Sequence, residues 1–236
     1  MQIIPPAHSG SYYFNYKGQH SLVLLAICNA NYEFIMCDFG INGRVSDGGV
    51  IDETLFYTKL KNETLGLPRP SKTKTTEKQL PFVFIGDEAF ALRSDFLKPF
   101  NRKQLNNDKR IFNYRLSRCR RIIENVFGIL ANRFRIFHTA INMKLENIDT
   151  VVMACCALHN FLRRHRGDYY TPTTCVDVED QDSGEVHLGE RPEANTLIQL
   201  QHGSNRHASA EANRVRDLCM NYFTNEGPVL WQGNFV

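Results

Sequence analysis

The sequence predicts an α/β fold in which helices flank a mixed sheet. Residues 12–28 and 32–39 are rich in aromatic and branched side chains, which is typical of strands. Residues 108–136 follow a different pattern, because their apolar side chains recur every three or four positions, as on one face of a helix. The order of strand-like and helix-like segments is typical of a mixed sheet covered by helices.

The first part of the chain is predicted to form a hairpin, a helix, a loop and a buried strand. The Asn-Ala-Asn sequence at 29–31 is typical of a tight turn between the first two strands. Ser46 or Asp47 can cap a helix that continues to about Leu60, and the polar residues 61–80 predict a loop. The continuous apolar run within 81–87 predicts a strand buried on both faces, followed by a short helix near 90–97.

The second part of the chain is predicted to contain two long helices and a terminal one. The long helices span 108–136 and 147–165, and His159 is predicted to be a hydrogen-bonded core residue of the second. Residues 168–205 are rich in Thr, Asp, Gly and Gln and are predicted to be disordered, before an amphipathic helix at about 209–223. The apolar face of the first long helix comprises Phe112, Leu116, Cys119, Ile123, Val126, Leu130 and Phe134.

Composition indicates an ordinary globular protein. The 236 residues are 42% hydrophobic and 22% charged, which is enough to build one good core. No stretch approaches the roughly 18 apolar residues of a membrane helix, and the N-terminus has no secretory pattern. The seven cysteines are odd in number and contain no C-x-x-C pair, so neither a disulfide framework nor a zinc site is predicted. This usage favours a reducing compartment.

Charge is distributed unevenly along the chain, although the formal net charge is only +3. The segment from Lys98 to Arg135 holds eleven basic residues against two acidic ones, whereas residues 177–190 hold six acidic residues and no Lys or Arg. A basic segment followed by an acidic one indicates a polyanion as partner. The alternative is a solvated helix face followed by a flexible linker.

Asp87 and Glu124 are the acidic residues best suited to a metal site. Asp87 ends the predicted buried strand, and ligands of α/β sheets bind outside the carboxyl ends of strands. Glu124 lies on a small, polar or basic stripe of the long helix, opposite its apolar face. Mg²⁺ and Mn²⁺ prefer such oxygen ligands, and a pair of these ions can promote phosphodiester cleavage. Structural roles remain open: a strand-end cap or ion pair for Asp87, and an ion pair with Arg120 or Arg121 for Glu124.

Several stretches carry a resemblance to a known family. They read SGSYYFNYKGQHSLVLLAICNANYEF, GRVSDGGV, GDEAFALR, KRIFNYRLSRCRRIIENVFGILANRFRIF and VVMACCALHNFLR, in this order. Together they resemble the DDE-type nuclease domain of PIF/Harbinger transposases and their domesticated relatives. The resemblance covers about residues 1 to 165, and residues 221–232 are similar to the C-terminus of the same family.

The resemblance implies an RNase H-like fold and a metal site made of three carboxylates. The second Asp of the family lies in a Gly-Asp motif, which corresponds here to Gly86 and Asp87. The Glu lies in the pattern Glu-Asn-x-Phe-Gly, which corresponds to residues 124–128. Thirty-six residues separate Asp87 from Glu124, a spacing similar to that of the family.

The first Asp of the family is missing from this chain. It belongs to a strand immediately upstream of the segment that matches Gln2–Ile4, so the resemblance implies a chain that lacks most of a central strand at its N-terminus. In the RNase H-like fold this strand pairs with the second strand and with the strand that carries the second Asp. Asp38 ends a strand of the hairpin and Asp47 is a predicted helix cap, so these two are the weaker candidates for a third ligand.

These observations lead to a hypothesis of function. The chain is predicted to be a transposase-derived DNA endonuclease domain that uses Mg²⁺ or Mn²⁺, with Asp87 and Glu124 as catalytic metal ligands. The missing Asp leaves its activity open. The alternative is a domesticated, catalytically dead scaffold that binds DNA, chromatin or protein. The basic residues predicted to contact nucleic acid are Lys109, Arg110, Arg115, Arg118, Arg120 and Arg121.

The predicted organisation has three parts. Residues 1–165 form the nuclease domain, 166–208 an acidic and polar disordered linker, and 209–236 a C-terminal helix and tail. DNA is the expected partner, and no dedicated DNA-reading motif is visible, so a separate DNA-binding protein is a further expected partner. A nuclear location is predicted, with the cytoplasm as an alternative and no membrane association.

Overall fold

The computed structural model describes residues 1–43, 47–73, 75–103, 105–180, 182–190 and 208–235. The predicted cap Ser46 and residues 191–207 of the predicted linker lie outside them. The chain divides into two compact units. The first unit comprises 1–54, 121–179 and 186–201, and the second comprises 55–120, 180–185 and 202–236.

Helices and short strands make up the described residues. The helices are α1 (Asp47–Asp52), α2 (Leu55–Lys61), α3 (Asn107–Arg133), α4 (Leu145–Tyr170) and α5 (Ala210–Asn221). The strands are β1 (Leu22–Cys28), β2 (Phe34–Asn42), β3 (Ser71–Lys72), β4 (Gln79–Leu80), β5 (Phe84–Ile85), β6 (Phe96–Leu97), β7 (Val178–Glu179) and β8 (Val186–His187). Strands β5 and β6 pair in parallel, whereas β1–β2, β3–β4 and β7–β8 pair antiparallel. This content is mixed, as an α/β chain requires. None of the helices in the described residues is both long and apolar enough to cross a membrane.

The predicted hairpin forms in the first unit, from β1 and β2. Its turn is stabilised by Asn29, whose Oδ1 accepts hydrogen bonds from the backbone N–H groups of Asn31 (2.9 Å) and Glu33 (3.1 Å). Tyr32 has a positive φ of 61°, which lets the chain reverse within these few residues. The register shifts between Val23 and Leu24 and again between Ile27 and Cys28. The paired strands begin only at Leu22, because residues 12–20 form turns.

The segment Gln2–Ile3 occupies a central position in the first unit. Gln2 forms an antiparallel bridge with Ser21, and Ile3 forms a parallel bridge with Ile141. Backbone bonds join Ile3 N–H to His20 O (2.9 Å) and Ile4 N–H to Ile141 O (3.0 Å). Gln2–Ile3 therefore has backbone partners on two sides, Ser21 and Ile141.

The core of the first unit is built on α4 and on the C-terminal half of α3. Val126, Leu130, Ile148 and Val152 are fully buried there. The side-chain amide of Asn160, on α4, pairs with the backbone of Phe34 as a neighbouring strand would. Its Oδ1 accepts from the Phe34 N–H and its Nδ2 donates to the Phe34 C=O, both at 2.8 Å. These residues attach the hairpin to α4.

His159 is a hydrogen-bonded core residue, as predicted, with no exposed surface. Its Nε2 lies 2.7 Å from the carbonyl O of Tyr32, and its Nδ1 lies 3.0 Å from the hydroxyl of Tyr170. A carbonyl oxygen only accepts, so Nε2 carries the hydrogen and Nδ1 accepts from the tyrosine. Burial lowers the pKa of His159, which favours this neutral form.

The segment that follows α4 differs from the predicted linker. Helix α4 continues to Tyr170, past a kink at Gly167. Residues Thr173–Cys175 then form a short helical turn, and β7 pairs with β8. Val176 is buried against Ile129 and Tyr170. A polar composition predicted disorder here, but Val176 anchors the start of the segment.

The second unit differs most from its predicted elements. The predicted strand 81–87 is only the two-residue strand β5, half-buried rather than buried on both faces. The predicted helix at 90–97 is wrong, since Phe96 and Leu97 form β6. The helix predicted from Ser46 or Asp47 to Leu60 is two helices, α1 and α2, which belong to different units.

The core of the second unit joins the N-terminal half of α3 to α5. Phe112 has no exposed surface and packs edge to face against Phe100, with a ring-centroid distance of 5.2 Å. Phe223, which follows α5, lies on its other side at 6.0 Å. The predicted apolar face of α3 therefore forms, except that Cys119 is exposed.

Candidate active site

Asp87 lies just beyond the carboxyl end of β5, in the second unit. The Gly86 N–H donates to the carbonyl O of Leu97 (2.9 Å), which extends the parallel pairing with β6 by one bond. Asp87 Oδ1 accepts from the Ala89 N–H at 2.9 Å, so the carboxylate starts a turn. Asp87 is half-buried. The turn uses its Oδ1 and does not require Oδ2.

Gly86 allows aromatic rings to pack tightly beside Asp87. A Cβ atom at this position would lie 2.5 Å from Cε1 of Phe96 and 2.6 Å from Cδ2 of Phe90. Both rings would have to move to admit any side chain. The Gly-Asp motif thus has a physical reason: the glycine permits the ring packing that fixes the backbone from which the carboxylate projects.

Lys98 follows β6 as Asp87 follows β5, so parallel pairing brings the two residues to the same edge. Lys98 is buried, with a relative exposure of 8%, and its Nζ lies 3.4 Å from the carbonyl O of Glu88. Burial lowers the pKa of Lys98, with a further contribution from the positive charge of Arg216, and Glu88 and Asp87 oppose this shift. Sequence analysis missed this lysine, although its position in the apolar run FLKPF was a signal.

Glu124 lies on the C-terminal half of α3, in the first unit, and is exposed. Among the described residues, none forms a hydrogen bond or ion pair with its carboxylate. The predicted alternative pairing with Arg121 is wrong, because the Arg121 guanidinium instead lies 3.9 Å from the carboxylate of Glu179. Asp87 belongs to the second unit and Glu124 to the first.

The remaining motif residues around Glu124 have structural roles. Asn125 is buried, and its Oδ1 accepts from the Asp177 N–H (3.1 Å) while its Nδ2 donates to the Asp177 carbonyl O (3.4 Å). Phe127 packs near Phe34 with ring centroids 6.0 Å apart. These contacts orient α3 so that Glu124, the position before Asn125, faces away from the core.

The weaker metal candidates have different surroundings. Asp38 lies on β2 and is half-buried; burial, followed by the negative charge of Asp149, raises its pKa. Asp47 is the first residue of α1. Among the described residues, no three His, Cys, Asp or Glu side chains cluster closely enough to hold a metal ion.

The predicted nucleic-acid residues fall into two groups. Arg115 and Arg118 contact the C-terminal tail: Arg115 Nη1 donates to the carbonyl O of Gly227 (2.9 Å), and the Arg118 guanidinium lies 5.3 Å from the centre of the Trp231 ring. Burial lowers the pKa of Arg115. Lys109, Arg110, Arg120 and Arg121 are exposed or half-exposed on α3.

Comparison with protein families shows to which family the chain belongs. The family model described as "DDE superfamily endonuclease" matches residues 1–160, a range that includes both the Gly86-Asp87 motif and the Glu124 motif. The chain belongs to the DDE superfamily endonucleases. The resemblance to PIF/Harbinger transposase-derived nucleases is thereby confirmed.

Curated relatives of this DDE-family chain share the same region. The protein named "Putative nuclease HARBI1" of Rattus norvegicus is 24% identical over 176 residues, which cover 73% of this chain and 46% of the relative. Its counterpart in Homo sapiens is 25% identical over 162 residues, which cover 67% of this chain and 42% of the relative. The chain thus spans less than half the length of these relatives. No solved structure matches it significantly.

Proposed function

We propose that this DDE-family chain is a divalent-metal-dependent DNA endonuclease domain derived from a transposase. The observation that carries the proposal is the family match over residues 1–160, which contains both acidic motifs in their family context. The names of the curated relatives agree with nuclease activity. We propose further that the fold is RNase H-like, a proposal supported by the antiparallel β1–β2 hairpin and by the parallel pair β5–β6 that ends at Asp87.

The proposed metal ligands are Asp87 and Glu124. Their chemistry fits Mg²⁺ or Mn²⁺, because both are carboxylates, and Glu124 is exposed without a partner among the described residues. When bound, such ions activate the attacking oxygen and stabilise the leaving oxygen of the phosphodiester. The resemblance implies a third carboxylate, for which Asp38 and Asp47 are the weaker candidates in this chain.

The chain's own residues would position these ligands. Gly86 and the Ala89 N–H fix the Asp87 carboxylate at the end of β5, so that it need not reorganise when it binds a cation. Asn125 and Phe127 fix the segment of α3 from which Glu124 projects. A rigid support of this kind keeps the free carboxylate oxygens available to a ligand.

The alternative, a catalytically dead scaffold, predicts DNA or partner binding that does not depend on metal or on the two carboxylates. The match to endonucleases does not favour it. Because the proposed substrate is DNA, we place the protein in the nucleus, with a separate DNA-binding protein as a proposed partner.

A plasmid assay tests the endonuclease. The intact chain should nick supercoiled plasmid DNA with Mn²⁺ or Mg²⁺ and should not do so with EDTA. Glu124→Gln, purified in parallel, should lose the nicking, while Glu146→Gln, an exposed glutamate on α4, should retain it. Nicking that persists in EDTA or in Glu124→Gln would contradict the proposed function.

A further inference from the structure

Two cations of the second unit lie over one aromatic ring, and a third lies near them. The Arg216 guanidinium carbon lies 3.9 Å from the centre of the Phe100 ring, and Lys109 Nζ lies 5.4 Å from the same centre. Lys98 stands two residues before Phe100 and is close enough for its pKa to be lowered by Arg216. We call Lys98, Lys109 and Arg216 the Phe100 cation cluster.

The cluster holds positive charge partly out of water. Lys98 is 8% exposed, and Arg216 is half-buried, with Nη2 donating to Asn213 Oδ1 at 2.9 Å. Its Nε is buried and has no hydrogen-bond acceptor among the described residues. Burying like charges together and leaving a donor unsatisfied both cost free energy. An anion with several acceptor oxygens would offset both costs, because it supplies negative charge and a hydrogen-bond acceptor.

Acidic groups also act on the cluster. Asp87 and Glu88 oppose the shift of Lys98, and Asp217 acts on Arg216.

We propose that the Phe100 cation cluster binds a backbone phosphate of duplex DNA beside Asp87. Arginine and lysine are the usual donors to phosphate oxygens, and an aromatic ring holds the guanidinium in a fixed plane. Arg216 comes from α5, which lies outside the residues that the family model matches, so the C-terminal helix contributes to the site. The inference rests on the proposed function for its choice of DNA as ligand.

The role of the cluster differs from that of the predicted basic residues. Arg115 and Arg118, which the sequence favoured, contact the C-terminal tail instead. Lys109 is the one predicted nucleic-acid residue that belongs to the cluster. The cluster thus shifts the proposed DNA contact from the middle of α3 to the edge that carries Asp87.

Binding measured without metal tests this inference separately from cleavage. Fluorescence anisotropy with a fluorescein-labelled duplex in EDTA, over a series of salt concentrations, gives the affinity and its salt slope. The double variant Lys98→Met/Arg216→Gln should weaken binding about tenfold or more and reduce the slope of log Kd against log salt by about two, one for each lost phosphate contact. The control Lys59→Met/Arg214→Gln removes the same charge from exposed positions and should have little effect.

Other outcomes are equally decisive. If the double variant does not fold, Lys109→Gln, at a half-exposed position, should still reduce the slope by about one, and Arg216→Lys should bind better than Arg216→Gln. Wild-type affinity in the cluster variants, an equal loss in the control, or tighter binding to duplex RNA would overturn the inference. Intact cluster-dependent binding without metal-dependent nicking would instead contradict only the nuclease.

Discussion

Asp87→Asn is expected to reduce metal-dependent nicking about a hundredfold or more, because it removes a charged metal ligand whose loss costs several kcal/mol of transition-state stabilisation. The asparagine side chain can still accept the hydrogen bond from the Ala89 N–H, so the turn after β5 should persist. The plasmid assay measures the rate with saturating Mn²⁺.

Glu88→Gln is the matched control for this substitution. Glu88 is the adjacent acid, with a side chain 46% exposed, and it lies 4.0 Å from Arg102. Its nicking rate should stay close to that of the wild type. Urea unfolding of both variants is followed by the fluorescence of the single tryptophan. Their free energies of unfolding should match that of the wild type within about 0.5 kcal/mol. Equal nicking by Asp87→Asn and wild type would remove Asp87 from the site.

Phe112→Ala is expected to destabilise the second unit by about 3–5 kcal/mol, because it leaves a cavity between Phe100 and Phe223. Trp231 reports on this unit directly: it is buried, and its Nε1 donates to the Tyr114 hydroxyl at 3.0 Å. Urea unfolding followed by its fluorescence should therefore shift to a much lower midpoint.

Phe82→Ala provides the comparison, since Phe82 is 47% exposed in the same unit. Its free energy of unfolding should change by less than about 1 kcal/mol. If the two alanine variants unfolded at the same urea concentration, Phe112 would not join α3 to the segment that follows α5 as described.

Long periodic segments of this chain could be predicted from the sequence, and short ones could not. The apolar repeat of α3 fixes one buried face over many turns, so its type was clear and its start was predicted within one residue. Phe96 and Leu97 are only two apolar residues between an acidic residue and a basic one. Their pairing with β5 therefore depends on contacts distant in sequence. Propensity alone cannot decide such a segment.

The candidate site was predictable in its acids and not in its cations. Asp87 and Glu124 could be found from their motifs. A basic side chain, in contrast, gives no sign of whether it faces solvent or another segment, so the bond from Arg115 to the Gly227 carbonyl could not be predicted. Arg216 could not be assigned either, because only the folded second unit brings α5 to Phe100.

The claim that Asp87 and Glu124 hold a divalent metal ion is tested most directly by calorimetric titration of the intact chain with Mn²⁺. The wild type should show saturable binding, which the double variant Asp87→Asn/Glu124→Gln should lack. The double control Glu88→Gln/Glu146→Gln removes the same charge and should bind as the wild type does. Equal Mn²⁺ binding by all three proteins, or none by the wild type, would contradict the assignment.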